Sequence, residues 1–281
     1  MKRTLSLCLA AILVNFAGLS QEMDKAENVP VKTISGRVVD VEGKALEYVN
    51  IGIQRKDFGT MSFRDGLFEL GIPHKHLTDT LTFSHLGFEK VKLPIAGLTS
   101  NETIVMFSET YSLTEVTIRA SQVKRQKMGI TMHSPFVGAT AKHNEWAVYM
   151  KPRKFPAKPE LLNIYINWID DKNDSVYFRV NFYAVTDSMP GENVTGKNIV
   201  IRHLIQRGWN ELDLRPFNVY LTEEFFVSFE WLTDLDQKAS RSFHYGAALI
   251  RPRKMYIRNT SFGTWRKIPG AVNTMTLQVV Y

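Results

Sequence analysis

Apolar and polar side chains alternate with a period of two through much of this chain. In Ile34-Ser35-Gly36-Arg37-Val38-Val39-Asp40 apolar groups fall at roughly every second position, as a half-buried strand requires. Val49, Ile51 and Ile53 alternate with Tyr48, Asn50, Gly52 and Gln54, and the pattern resumes in Leu67-Phe68-Glu69-Leu70 and Leu81-Thr82-Phe83-Ser84. Turn signals punctuate it at Asp40-Val41-Glu42-Gly43, Phe58-Gly59-Thr60 and Arg64-Asp65-Gly66. Asp-Gly between two such runs is a strong hairpin signal, and Gly43 permits the positive φ of a tight turn. The pattern predicts a small β-sandwich over residues 33–108.

The second half alternates as well. Leu161 to Trp168 reads as an apolar strand, Asp170 to Ser175 as a polar turn, and Val176-Tyr177-Phe178-Arg179-Val180-Asn181-Phe182-Tyr183 as a clean strand. Met189-Pro190-Gly191 starts a loop; Gly208 to Leu214, Phe225 to Trp231 and Thr274 to Tyr281 read as further strands. Phe225, Val227, Phe229 and Trp231 share one strand face and read as core. Beyond the N-terminal segment no long stretch keeps a helical period. Short strands at this spacing predict a second, jelly-roll-like sandwich over residues 143–281. The fold class expected is therefore all-β, with two sandwiches in tandem.

The positions Gly36, Val38, Asp40, Gly43, Gly59, Thr60, Asp65, Gly66, Phe68, Ser84, Gly87 and Phe88 carry a resemblance. On them, the first segment resembles the carboxypeptidase regulatory-like domain, a seven-stranded transthyretin-like sandwich. That resemblance implies a domain that is not itself a peptidase, and a setting among outer-membrane and surface proteins of Bacteroidetes-type bacteria. On Phe178 to Tyr183, Pro190-Gly191, Gly208-Trp209, Asp213-Leu214 and Phe225 to Trp231, the second half is similar to a domain that flavobacterial proteins pair with the regulatory-like one. This implies an arrangement and a location, and no chemistry.

Residues 109–142 are expected to join the two parts. Glu109 to Ala120 reads as a closing or linking strand, and Ser121 to Gly129 as a polar, basic linker. In receptors carrying the same leading domain, a strand similar to Leu113, Glu115, Val116 and Ile118 introduces the plug of an outer-membrane barrel. Those four residues are therefore a candidate docking strand for an envelope partner. The chain after them is too short for the many repeated strands of such a barrel.

The N-terminus bears on compartment. Lys2 and Arg3 precede an apolar run from Leu5 to Ala17, and small residues precede Gln21, so residues 1–20 read as a secretory signal peptide and 21–32 as an extension. The run is too short to span a bilayer. Cys8 is the single cysteine; the apolar run follows it, unlike a lipoprotein box, and cleavage after Ser20 would remove it. No disulfide framework or thiolate metal site is then expected. The formal charge of +7 sits largely in Lys124 to Lys127, Lys151 to Lys154 and Arg251 to Lys254. Such a surface can meet anionic lipid or polysaccharide, or be solvated loop edges. Nucleic acid does not fit an exported protein. The location expected is the periplasm or the outer-membrane surface, with no spanning segment in the processed chain.

Catalytic patterns are missing from the sequence. His143-Asn144-Glu145 has the wrong gap for a His-x-x-Glu zinc site, and His74-Lys75-His76 lacks a third ligand nearby. Asp170 to Asp174 lacks the Gly and distal Glu of a calcium loop. No nucleophile elbow or phosphate loop occurs. No metal, cofactor or catalytic residue is therefore assigned. Trp168 and Trp209 end strands, and their role is open. Trp265, in Ser261-Phe262-Gly263-Thr264-Trp265-Arg266-Lys267, reads as a loop aromatic beside two cations. Trp265, Arg266 and Lys267 are the candidate contact for a sugar or a partner chain. The function expected is a non-enzymatic envelope binding or scaffold protein. The alternative is an accessory of TonB-dependent-type nutrient uptake, or a glycan binder acting through the second sandwich.

Overall fold

The computed structural model describes residues 31–109, 123–132, 134–140, 144–169, 175–232, 243–249 and 254–281. The signal segment, the docking-strand residues Leu113 to Ile118, His143, the acidic turn at 170–174 and Arg251 to Arg253 lie outside these.

Seven strands make the first unit: β1 (Val31–Asp40), β2 (Asn50–Gly52), β3 (Gly59–Met61), β4 (Leu67–Pro73), β5 (Thr80–Ser84), β6 (Val91–Pro94) and β7 (Glu102–Met106). They form a three-stranded sheet, β4-β1-β7, and a four-stranded sheet, β3-β2-β5-β6. The predicted alternation fills the space between them with Ile34, Val38, Ile51, Phe68, Ile72 and Phe83. Phe68 and Phe83 meet edge to face at 5.5 Å. Gly66 has φ +78° in the turn between β3 and β4, a conformation costly for any side chain with a Cβ. The seven-stranded sandwich is as the sequence predicts.

Fourteen strands make the second: β8 (Arg125–Gly129), β9 (Ser134–Thr140), β10 (Glu145–Met150), β11 (Lys158–Ile169), β12 (Ser175–Thr186), β13 (Met189–Asn193), β14 (Ile199–Leu204), β15 (Gly208–Asp213), β16 (Phe225–Leu232), β17 (Phe243–Ala248), β18 (Met255–Arg258), β19 (Arg266–Lys267), β20 (Val272–Asn273) and β21 (Met275–Val280). One sheet runs β13-β12-β16-β10-β18-β19 with β14 also on β12. The other runs β20-β17-β11-β21-β8, with β15 on β11 and β9 on β17. Phe225, Val227, Phe229 and Trp231 lie in the core between the sheets, with Phe178, Phe182, Ile164 and Leu277.

The boundary differs from the expectation. Arg125 to Gly129, read as linker, is edge strand β8, paired with β21 from Arg125↔Val280 to Gly129↔Thr276. β9 likewise pairs with β17, so the second sheet system begins well before residue 143. An edge strand covered on one side needs few apolar residues and tolerates Lys and Arg, so β8 looks like linker in sequence.

Candidate functional site

The densest polar chemistry lies on the face of the β12-β16-β10-β18 sheet that turns away from the core. Side chains alternate across a sheet. Phe178, Val180 and Phe182 point to the core, so Arg179, Asn181 and Tyr183 point away from it; Trp231, Phe229 and Val227 do the same for Glu230, Ser228 and Phe226. The register then places Arg179 opposite Glu230, Glu230 opposite Glu145, and Glu145 opposite Arg258. Four charges, in the order plus, minus, minus, plus, run straight across four strands. Three are covered, with Arg179 3% exposed, Glu230 2% and Glu145 1%, and Arg258 at the end of the row is partly exposed.

Glu145 is fully engaged. Its Oε1 accepts from Asn181 Nδ2 (2.9 Å), Tyr183 Oη (2.7 Å) and Ser228 Oγ (2.5 Å). Its Oε2 accepts from Arg258 Nε at 2.7 Å, and Arg258 Nη2 donates to Tyr183 Oη at 2.7 Å. Burial alone pushes this carboxyl up; the Arg258 guanidinium and the bonds from Ser228, Tyr183 and Asn181 outweigh it and hold it below its ordinary value. Among the described residues Glu230 has only Arg179 Nη1, at 3.5 Å. Burial pushes Glu230 up, Arg179 opposes in part and Glu145 adds repulsion, so it rests at about 7.

The row ends against the first sandwich. Arg179 Nη2 donates to the carbonyl of Tyr48 at 2.5 Å, and its Nη1 donates to Asn50 Oδ1. Ser261 Oγ donates to the same Asn50 oxygen at 2.9 Å, and Arg55 N donates to the Phe262 carbonyl at 2.9 Å. A Cβ on Gly52 would come within 2.8 Å of Phe262 Cδ2, so only glycine lets that ring sit on β2. Tyr48 is held at φ 57°, a region that costs of order 1–3 kcal/mol for a residue of this size. Arg64 lies over the Tyr177 ring, 4.5 Å from its centroid. Asn198 Nδ2 donates to His85 Nε2 at 3.2 Å, which assigns the ring proton to Nδ1, facing the Leu86 carbonyl at 3.0 Å. Burial and the nearby Arg179 push His85 down to about 4.

These shifts predict opposed pH dependences. Folded Glu230 keeps its proton to about pH 7, so its stabilisation is full below the ordinary carboxyl value of 4.5 and is lost as pH rises through 7. His85 resists protonation until about pH 4, so it destabilises as pH falls below 6.5. The two slopes counteract each other between them. Glu230→Gln removes the first. The variant should be more stable than wild type at pH 8, on the order of 3 kcal/mol, and near-equal at pH 4. Denaturant melts across pH 4–8 should show its stability rising with pH where wild type is nearly flat.

The predicted contact loop is divided among three tasks. Ser261 and Phe262 dock the first sandwich. Trp265 is half-buried, with Arg258 Cζ 4.4 Å from its ring centroid and Tyr183 edge-on at 5.6 Å. One face of the plane expected to stack on a sugar is thus taken by a guanidinium. Arg266 and Lys267 are exposed on β19, paired with β18, rather than in a loop. Arg266 Nη2 donates to Asn259 Oδ1 at 2.7 Å. Trp265→Ala should cost about 1–2 kcal/mol by uncovering Arg258, read as a drop in thermal midpoint. His74 to His76 forms a short 3₁₀ turn in which His76 Nδ1 lies 2.8 Å from Asp79 Oδ2. Trp209 packs edge-on against Tyr165 at 5.3 Å, and the side chain of Trp168 lies outside the described ones. Among the described residues no cluster of His, Cys, Asp or Glu could hold a metal.

Sequence reasoning missed Arg179, Glu145, Ser228 and Glu230 as a set. The signal available was polar residues recurring at alternate positions inside otherwise apolar strands, in Phe178-Arg179-Val180-Asn181 and Val227-Ser228-Phe229-Glu230.

Comparison with known proteins gives a family for one segment: residues 34–118 match the model described as CarboxypepD_reg-like domain. No curated protein matches the chain. Among solved structures the chain is similar to the cysteine protease and lectin-like domains of Cwp84, a surface-layer-associated protein of Clostridium difficile. The identity is 11% and the TM-score 0.35, over 92% of this chain and 65% of that one. It is also similar to the infectious bursal disease virus Gx strain structure (6% identity, TM-score 0.23, 90% of this chain and 63% of that one). The chain thus spans less than two thirds of the length of these structures.

Proposed function

We propose, from the premise that residues 34–118 are a CarboxypepD_reg-like domain, that the protein is an exported, non-enzymatic binding or scaffold protein of the cell envelope. The observation that carries this reading is the joint. Arg179 of the second sandwich reaches the Tyr48 carbonyl and Asn50 of the first, and Ser261 bonds the same asparagine. A scaffold needs its modules held in one orientation, and a bonded, buried joint supplies that. The charged row supports the same reading, because the four hydrogen bonds to Glu145 commit that buried carboxylate to structural partners. Among the described residues no helix is long and apolar enough to cross a membrane.

The test has two arms. Envelope fractions should contain the protein as a chain beginning near Gln21, by intact mass. Purified protein should show no turnover on peptide and glycoside panels, with or without zinc. Cytoplasmic retention would overturn the location; turnover lost in Glu145→Gln would overturn the absence of catalysis.

A further inference from the structure

Two cationic runs far apart in sequence, 124–127 and 151–154, come together with Lys254 at one edge of the second sandwich. A cleft of about 340 Å³ opens there between β8 and the end of β10, lined by Gln126, Lys127, Gly129, Tyr149 and Lys151 among others. Arg153 N donates to Gln126 Oε1 at 2.9 Å, which brings the 151–154 run onto β8. Tyr149 N donates to the Lys254 carbonyl at 3.1 Å, and Lys254 Nζ lies 5.1 Å from the Tyr149 ring centroid, which adds Lys254 to the edge.

Among the described residues the cations at this edge outnumber the carboxylates. Two carboxylates of that set face it: Glu160, 3.4 Å from Arg125, and Glu224, 3.0 Å from Lys151 and also accepting from Tyr149 Oη at 2.8 Å. Among the described residues Lys127 and Arg153 are exposed and have no carboxylate in ion-pair range. Among the described residues β8 pairs on one side only, with β21. Lys124 and Tyr281 exchange both backbone bonds, so by antiparallel alternation the N–H and C=O groups of Arg125, Lys127 and Gly129 turn outward. The edge thus offers cations, an amide and unpaired backbone donors and acceptors around a concavity of the size that takes a small ligand.

We propose that this cleft binds an anionic oligosaccharide, its carboxylates or other acidic groups paired with Lys127, Lys151 and Arg153 and its hydroxyls bonded to Gln126 and the outward backbone of β8. A saccharide is favoured over a membrane surface because the site is concave, and a flat headgroup layer would leave the cleft lining untouched. Its ring hydroxyls also match the mixed donors and acceptors of an open strand edge. The inference goes beyond the scaffold reading, which stands or falls separately on location and turnover.

The test is calorimetric titration of the full chain with oligogalacturonate, with a neutral cello-oligosaccharide of equal length and with phosphatidylglycerol vesicles as comparators. Oligogalacturonate should bind, and weaken as salt rises from 50 to 250 mM because the pairing is exposed. The double variant Lys127→Ala, Arg153→Ala should bind at least tenfold more weakly with an unchanged thermal midpoint. Lys75→Ala, on the first sandwich, should bind as wild type does. Equal binding of the neutral sugar, full binding by the double variant, or binding to vesicles with none to oligogalacturonate would each overturn the proposal.

Discussion

Glu145→Ala should destabilise the second sandwich by about 3–5 kcal/mol, the cost of breaking a buried, hydrogen-bonded ion pair from one side. The methyl group would leave the Arg258 guanidinium, 13% exposed as a side chain, without its counter-charge. It would also strip the Ser228 hydroxyl, the Asn181 amide and the Tyr183 hydroxyl of their common acceptor, each a desolvated polar group. Glu145→Gln, which keeps the shape and one carbonyl acceptor, should lose less. Urea unfolding followed by tryptophan fluorescence measures both. A loss under 1 kcal/mol in Glu145→Ala would mean that water replaces the missing partners and that the row is not sealed. In the alanine variant Glu230 loses its negative neighbour and should titrate lower than in wild type.

Arg179→Ala should act mainly between the sandwiches. In wild type the guanidinium bonds Tyr48 and Asn50 across the joint and Glu230 within its own sheet, so opening the joint breaks two bonds of one buried cation together. Calorimetry should show the two sandwiches melting as one transition in wild type and as two in the variant. Above pH 7, where Glu230 is ionised, the loss should be about 3 kcal/mol or more, since that carboxylate is left buried without Arg179. Ser261→Ala, which removes only one bond to Asn50, should cost about 1 kcal/mol and keep the single transition. Two transitions already present in wild type would show that the joint does not couple the units.

The sequence makes the first sandwich legible because one rule governs it. Ile34, Val38, Ile51 and Phe68 face inward at alternate positions, and Asp65-Gly66 marks its hairpin. The same rule sends Tyr48, Asn50 and Gly52 outward, correctly for that sandwich taken alone. What the outward face meets is invisible to a local pattern: Arg179 and Phe262 come from far along the chain. In the second sandwich β16 is buried on both faces, so Ser228 and Glu230 look like the exposed half of an alternating strand and are not. Trp265 fails as a free platform for the same reason, since Arg258 beneath it is brought there by strand pairing. β8 was hidden because a strand with one neighbour needs little apolar character.

The position of β21 bears on how the protein is made. β21 lies between β11 and β8, and β8 has no other strand partner among the described residues. As the chain emerges N-terminus first, β1 to β7 can pair and close while the rest is still to appear. β8 emerges soon after, yet must wait for the whole second half before its mate exists. A strand that waits unpaired is an aggregation hazard, most of all in a topology of long-range contacts. Arg125 and Lys127 on β8 keep that waiting strand hydrated and repel others like it. Replacing both with valine should therefore reduce soluble yield during expression far more than it changes the melting point of whatever protein is recovered.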